Sequence, residues 1–367
     1  MSNFFFLHRL VLIPNSVDLF LEKVLILQSS IKQATLLQSY RCHHQSMINR
    51  LLSYGSASDE DDITSEKSLT SICIVGESGM GKTELLREIY NDEMIFQGFH
   101  LRIWINMCDK KGLLEKIIEF ITCAYCYDAP SSILEETVRE ELNGKRFLLV
   151  LDDADIENRC FWSDLWKLAN LGAVGSALIV TTRSKEVAKL FGAMQTYYLR
   201  SLPSEECFMV FQEHAIIGGF HINDYPQFTK FGWMIVEKCG GNPLCMKALS
   251  GLFCHTETGL IVIRSLLFDL NSLGVGGGIL PALRLCYDLL PSRLKQCIKF
   301  CSLFPRNYVF VKHHLVQLWI SQGFINPEED SQPEDTGLQY FNELFCRSFF
   351  QNGPSRDDDH KDKFVMH

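Results

Sequence analysis

The sequence predicts an α/β protein in which a parallel sheet forms the core, followed by an all-helical subdomain and a smaller C-terminal subdomain. Between residues 69 and 202, short runs that are apolar on both faces alternate with helical segments, as in parallel sheets covered by helices on both sides. After Pro203 the strand signals fade, and Ser204 with the two glutamates that follow it indicates the start of helical sequence reaching about residue 270. The four glycines in residues 271–278 then indicate a flexible connector to the last unit.

The predicted elements follow in order along the chain. Apolar residues at alternating four- and three-residue spacing in residues 17–37 predict a helix with one apolar stripe, and the acidic residues 55–67 predict a solvated linker. Four short apolar runs predict strands at residues 72–75, 101–105, 147–151 and 177–180. We therefore expect a helical N-terminal remnant and linker at residues 1–55, the sheet core at 56–202, the helical subdomain at 203–270 and the last subdomain at 281–367.

Composition limits the classes of function. Hydrophobic residues make up 47% of the chain and charged residues 22%, as in globular rather than disordered or fibrous proteins. The net charge of −9 argues against nucleic acid as the main partner. No run approaches the ~18 apolar residues that span a bilayer. Most cysteines lie in apolar runs, as Cys73 does, which is typical of buried thiols in a reducing compartment. We therefore expect a cytoplasmic protein without a membrane span.

Residues 76–83 carry the strongest chemical signal in the sequence. They read Gly-Glu-Ser-Gly-Met-Gly-Lys-Thr and fit G-x-x-x-x-G-K-[ST], the Walker A phosphate loop. Glycines let backbone N–H groups curl around phosphate oxygens, and the helix that follows turns the positive end of its dipole to the same anion. An apolar strand before the loop and helical sequence after it are the expected context. The sequence therefore predicts the core of a P-loop NTPase, which binds the phosphates of a nucleotide through Gly76, Gly79, Met80, Gly81, Lys82 and Thr83.

Polar residues at two other strand ends complete the predicted site. Asp152 and Asp153 directly follow the third apolar run, at the carboxyl edge of the sheet, where α/β proteins bind ligands. We expect Asp152 to hold Mg²⁺ together with the Thr83 hydroxyl, and Asp153 to polarise the attacking water. The alternative is that these acids cap the next helix. Arg183 follows the fourth run and is expected to sense the γ-phosphate; the alternative is a surface arginine in an ion pair.

The order of these motifs resembles the NB-ARC nucleotide-binding module of plant disease-resistance receptors, from about residue 54 to the end of the chain. Cys239-Gly240-Gly241-Asn242-Pro243-Leu244 looks like the family's GLPL loop, with Asn242 in place of the usual leucine. The chain stops at His367, within the family's Met-His-Asp signature. Other matching stretches are residues 99–104, 145–153 and 175–183 of the core and residues 283–291, 297–305 and 319–324, which look like the winged-helix subdomain of the coiled-coil class of these receptors.

The resemblance implies a regulated nucleotide switch in plant innate immunity. In the family, ADP holds the closed, inactive state, exchange for ATP opens the module and permits homo-oligomerisation, and slow ATP hydrolysis resets it. By match, Pro243 packs on the adenine side and His367 contacts the β-phosphate of ADP; the alternatives are a helix-breaking turn and an ordinary chain end. The implied partners are adenine nucleotide and other immune-receptor or guarded host proteins. The short N-terminal segment and the missing leucine-rich repeats lead us to expect a truncated receptor.

Three alternatives stay open at this point. The first is a P-loop ATPase whose winged helix binds DNA and regulates transcription, since residues 281–326 carry six lysines and arginines against one acid, Asp288. A basic face is more often merely solvated, and a salt-dependent DNA affinity would distinguish the two cases. The second is a non-functional receptor fragment. A metabolic kinase is a weaker option, because no pocket for an acceptor substrate can be read from the sequence.

Overall fold

The computed structural model describes residues 38–53, 69–107, 111–123, 130–155, 165, 167–168, 171–217, 226–253, 279–327, 331–353 and 362–366. The chain divides into two compact units, residues 1–45 and 46–367, and every contact given below lies within the second. The helix predicted over residues 17–37 and the linker predicted over residues 55–67 lie outside the described residues; the structure describes a different helix, Gln38–Ser53, between them. In the described part of the chain, no helix has the length and apolar character that crossing a membrane requires.

A five-stranded parallel sheet forms the core of the first subdomain. Its strands lie in the order β2-β3-β4-β1-β5. The four predicted strands are confirmed, and each is apolar because both faces of the sheet are covered. The fifth strand was not predicted, because it is short, mixes polar with aromatic residues and lies at the edge of the sheet. The strands are β1 (Thr70–Val75), β2 (Leu101–Asn106), β3 (Phe147–Ala154), β4 (Ala177–Thr182) and β5 (Gln195–Tyr198).

Short amphipathic helices cover the sheet. Their apolar residues, such as Leu86, Ile117 and Val138, are buried, and those of α4 and α5 belong to the same core cluster as the strands. The second half of α1 is tied to this core, since Arg146 Nη2 donates a hydrogen bond to the carbonyl of Leu51 at 3.0 Å. The helices are α1 (Gln38–Ser53), α2 (Lys82–Tyr90), α3 (Glu93–Gly98), α4 (Leu113–Thr122), α5 (Ser131–Leu142) and α6 (Lys185–Phe191).

The middle of the chain is helical, as predicted. Helix α10 packs against α9, where the Cys286 thiol donates to the carbonyl of Ala248 at 3.3 Å. Cys286 and Cys239 are buried free thiols, in agreement with the apolar context of the cysteines. Burial raises the pKa of the Cys286 thiol to about 12, so it behaves as a core side chain. The helices are α7 (Ser204–Ile217), α8 (Pro226–Cys239), α9 (Pro243–Ser250), a 3₁₀ turn (Gly251–Phe253) and α10 (Ile279–Asp288).

The C-terminal subdomain combines three helices with a small antiparallel sheet of order β6-β8-β7. Its core is aromatic: Trp319, Phe341 and Phe350 are each at most 2% exposed, and the Phe341 ring lies 4.7 Å from that of Phe364. This arrangement confirms the predicted winged-helix fold. The elements are α11 (Ser292–Cys301), β6 (Phe310–Val311), α12 (Lys312–Ser321), α13 (Pro333–Cys346), β7 (Phe350–Asn352) and β8 (Lys363–Met366).

Candidate nucleotide-binding site

The predicted phosphate loop connects β1 to α2 at the carboxyl edge of the sheet. Gly79 has φ 77° and Gly81 has φ 82°, a left-handed conformation that side chains with a Cβ disfavour. Gly76 lies close to β5, since a Cβ there would lie 3.2 Å from the Cβ of Leu199. Two of the loop glycines are therefore required by the backbone turn, and the third by close packing.

Lys82 begins α2 and points its ammonium group back into the loop. Its Nζ donates to the carbonyls of Gly76 at 2.8 Å and Glu77 at 2.9 Å, and the residue is 7% exposed. Burial lowers the pKa of Lys82, and the nearby Asp153 carboxylate opposes that effect. A cation held out of water in this way attracts an anion strongly, because little solvent screens the pair.

Asp152 is joined to the loop by hydrogen bonds. Thr83 Oγ1 donates to its two carboxylate oxygens, at 3.1 and 3.0 Å, and Thr181 Oγ1 donates to Oδ1. Burial raises the pKa of the Asp152 carboxyl, and the two threonine hydrogen bonds oppose that rise. The structure therefore brings together Thr83 and Asp152, the two residues predicted to hold a metal ion. Thr181 was missed as part of the site, although it lies in the strand-end motif that drew attention to Arg183.

A β-bulge positions the two adjacent carboxylates. The pairing of β3 with β4 shifts register between Leu151 and Ala154, and Asp153 in between has φ 60°. The Asp153 N–H donates to Thr181 Oγ1 at 2.9 Å instead of joining the strand ladder. A bulge of this kind redirects side chains at the rim of a sheet. The two acids therefore lie inside β3, near its carboxyl end.

Asp153 and Arg183 form a two-point ion pair. Arg183 Nε and Nη2 donate to the Asp153 carboxylate oxygens at 3.2 and 3.0 Å. The Arg183 side chain is 49% exposed and that of Asp153 is 28% exposed. The two residues predicted to act on the attacking water and the γ-phosphate thus contact each other at the rim of the site.

The start of α9 packs directly on the phosphate loop. Asn242 Nδ2 donates to the carbonyl of Ser78 at 2.8 Å, and the Leu244 N–H approaches the carbonyl of Gly79 at 3.3 Å. Pro243, between them, is buried at the first position of the helix. The structure therefore places the predicted adenine-side residue next to the loop; its role toward adenine stays a prediction, and His367 lies outside the described residues.

The C-terminal subdomain also reaches the carboxyl edge of the sheet. Asn307 Nδ2 donates to Asn106 Oδ1 at 2.9 Å, and Asn106 pairs with Asp152 across β2 and β3. Neither asparagine was singled out in the sequence, because each lies in an ordinary strand end or turn. All three subdomains therefore contribute residues close to one edge of the sheet.

Known protein families match two parts of this sequence. The family model of the NB-ARC domain matches residues 59–218, and the family model of the disease resistance protein winged helix domain matches residues 303–367. The Solanum bulbocastanum disease resistance protein RGA2 is 34% identical over 345 residues, covering 90% of this chain and 35% of that protein. The Arabidopsis thaliana RPP13-like protein 1 is 31% identical over 340 residues, covering 88% of this chain and 31% of that protein.

The chain spans about a third of the length of these curated relatives. A solved Signal Transduction ATPase with Numerous Domains (STAND) protein with a tetratricopeptide repeat sensor, from Pyrococcus horikoshii, aligns at TM-score 0.44 and 13% identity, covering 82% of this chain and 39% of that one. The two domain models together match more than half of the chain, in the order that the sequence motifs predict. The chain thus belongs to the NB-ARC family of plant disease-resistance proteins, and it carries both the NB-ARC domain and the winged-helix domain of that family.

Proposed function

We propose that this chain is the adenine-nucleotide switch of a plant immune receptor that acts in the cytoplasm. ADP holds an inactive, closed state, ATP favours an active one, and slow hydrolysis returns the module to the first. The observation that carries the proposal is the grouping of Lys82 and Thr83, at the start of α2, with Asp152, near the carboxyl end of β3, next to a loop with two left-handed glycines. In its active state the module would bind further copies of itself or other receptor and guarded host proteins.

The residues of the site fit a nucleotide phosphate with Mg²⁺. The loop supplies backbone N–H groups, and Lys82 supplies a buried positive charge. The Thr83 hydroxyl and the Asp152 carboxylate are oxygen ligands, which Mg²⁺ prefers, and they already lie 3.0 Å apart at their closest. When bound, the ion neutralises charge on the phosphates. The pKa of Asp152 is raised by burial, so a cation beside it would also favour its ionised form.

The Asp153–Arg183 pair supports slow hydrolysis. Each of these side chains is engaged with the other through two hydrogen bonds, at 3.0 and 3.2 Å. Moving either of them onto a γ-phosphate or an attacking water requires breaking that pair first. A module that hydrolyses ATP slowly keeps its bound state long enough to signal. We accordingly assign Asp153 and Arg183 to hydrolysis and to sensing, and not to nucleotide affinity.

The arrangement of the three subdomains supports a closed state held by contacts around the site. We propose a core over residues 56–202, a helical subdomain over 203–270 and a winged-helix subdomain over 281–367. Asn307 and Asn106 join the last of these to the core. By family match, Pro243 would face the adenine and His367 the β-phosphate of ADP.

The DNA-binding alternative has less support, because at least three of the six lysines and arginines in residues 281–326 contact neighbouring groups of the protein. Lys295 Nζ donates to the carbonyl of Asp288 at 2.7 Å. Arg293 Nη1 donates to the carbonyl of Asn326 at 3.5 Å. Lys312 lies over the ring of Phe341, at 5.3 Å from its centroid. An affinity for double-stranded DNA that falls steeply as the salt concentration rises would support this alternative.

Calorimetric titration with ADP tests the proposal. Lys82→Ala removes a charge-assisted phosphate contact, which should weaken ADP binding about 10- to 150-fold. Lys145→Ala is the matched control, since Lys145 is exposed and forms an ion pair with Glu141 of a nearby helix, at 3.1 Å. It should bind ADP as the wild type does. Equal affinity of the wild type and Lys82→Ala would contradict the assignment.

A further inference from the structure

Two consecutive carbonyls of the phosphate loop are held from outside by the start of α9. The Ser78 carbonyl accepts a hydrogen bond from Asn242 Nδ2 at 2.8 Å. The Gly79 carbonyl accepts one from the Leu244 N–H at 3.3 Å. Both contacts join the helical subdomain to the loop, across about 160 residues of sequence.

The orientation of these carbonyls sets the orientation of two N–H groups. In a trans peptide unit the C=O and the following N–H point in opposite directions, and the described chain has no cis peptide bonds. Because the Ser78 carbonyl faces α9, the Gly79 N–H points away from α9. The Met80 N–H points away from it for the same reason. In glycine-rich loops of this kind, backbone N–H groups donate hydrogen bonds to phosphate oxygens.

Asn242 connects α9 to the loop because its side chain forms hydrogen bonds with both. Its Oδ1 accepts hydrogen bonds from the N–H groups of Leu244 and Cys245, both at 3.1 Å, and so caps α9. Its Nδ2 is then left to face the loop, where it meets the Ser78 carbonyl. The residue is 8% exposed, so the amide is fixed by its surroundings. A leucine at this position, as in the usual GLPL motif, offers neither contact.

We propose that Asn242 is a positioning residue for phosphate binding: its amide holds the Ser78 carbonyl and thereby directs the Gly79 N–H at the bound phosphate. Its Oδ1 caps the start of α9, whose Leu244 N–H is shared between that oxygen and the Gly79 carbonyl. The proposal rests on the proposed function, since it concerns the same nucleotide site. Loops with peptide groups already oriented lose less entropy on binding, so affinity for phosphate rises. Movement of α9 away from the core would release both carbonyls and lower that affinity.

Two substitutions remove the amide while keeping the helix cap. Asn242→Ser and Asn242→Thr both retain a capping oxygen, and neither side chain reaches the Ser78 carbonyl as an N–H donor. Both are neutral, so the charge near the phosphates is unchanged. Ser250→Ala is the matched control, since it removes a hydrogen bond of 2.9 Å at the other end of α9, from Ser250 Oγ to the Lys247 carbonyl.

Titration calorimetry with ADP and with AMP measures the effect. Loss of one neutral hydrogen bond should weaken ADP binding about threefold to tenfold in both Asn242 variants. AMP lacks the β-phosphate, so its binding should weaken less and the ratio of ADP to AMP affinity should fall. Ser250→Ala should leave both affinities and their ratio unchanged.

The outcomes separate this proposal from the proposed function. If Lys82→Ala loses ADP while both Asn242 variants bind it as the wild type does, the positioning role is wrong and nucleotide binding stands. If the affinities of the Asn242 variants for ADP and for AMP fall by the same factor, the residue stabilises the fold and does not position the loop for phosphate, which also overturns the proposal. If the wild type does not bind ADP, the proposed function itself is wrong.

Discussion

Substitution of Gly79 by alanine tests how tightly the helical subdomain packs on the phosphate loop. A Cβ at Gly79 would lie 2.7 Å from Asn242 Oδ1, 2.7 Å from Ile279 Cδ1 and 2.9 Å from Leu244 Cβ. All three distances are shorter than real contacts, and the Leu244 Cβ is fixed to the backbone of α9. Relief therefore requires α9 or the loop to move.

The size of the effect follows from two contributions. A left-handed φ of 77° costs alanine about 1–2 kcal/mol, partly offset by about 0.4–1 kcal/mol from the lower entropy of the unfolded chain. Overpacking adds about 1–3 kcal/mol. Gly144→Ala is a matched control, because Gly144 has φ 68° and a Cβ added there would meet nothing within 4 Å. It should suffer only the backbone contribution.

The difference in Tm between the two variants measures the overpacking contribution alone. At about 2.1 cal/mol/K per residue, the unfolding entropy of a chain of 367 residues is about 0.8 kcal/mol/K, so each kcal/mol lowers Tm by about 1.3 °C. The overpacking contribution should therefore place the Tm of Gly79→Ala about 1–4 °C below that of Gly144→Ala. Its ADP affinity should also fall, whereas that of Gly144→Ala should not. If the two variants melt together and bind ADP alike, α9 does not pack on the loop as described.

Three further predictions concern charge and packing. Burial lowers the pKa of Lys82, so between that value and the unfolded value of about 10.4 the folded state binds fewer protons, and stability rises with pH through this window. Without nucleotide, the free energy of unfolding measured in urea should therefore be larger for Lys82→Met than for the wild type at pH 7.5, and the difference between them should shrink toward pH 10. A difference that does not change with pH would contradict this reasoning. Asp152→Asn removes a carboxylate oxygen predicted to hold Mg²⁺ with Thr83, so ATP titrations should show weaker binding with Mg²⁺ and unchanged binding in EDTA. Phe341→Ala should destabilise the winged-helix subdomain by about 3–5 kcal/mol in thermal unfolding, since the ring is 1% exposed, whereas Leu303→Ala, at a residue 79% exposed, should be close to neutral.

Much of the core and its site could be predicted from local sequence. The strands were visible as apolar runs because a parallel sheet is buried on both faces, and β5 was missed because an edge strand carries fewer such residues. The loop residues 76–83 were found because phosphate binding needs glycines and a lysine at fixed spacing. Asp152 and Asp153 were found as acids at a strand end, but the bulge that separates their roles was not, since it depends on how β3 pairs with β4.

The phosphate loop, the family and the position of the NB-ARC domain before the winged-helix domain can be read from the sequence alone, because each of these depends on residues that lie close together along the chain. Which distant residues meet at this edge of the sheet depends on how the whole chain folds. Asn242 contacts Ser78, and Asn307 contacts Asn106, across separations of 164 and 201 residues. No periodicity or spacing encodes such a pair; it is set by how helices pack on the sheet, which is the sum of many weak contacts along the whole chain.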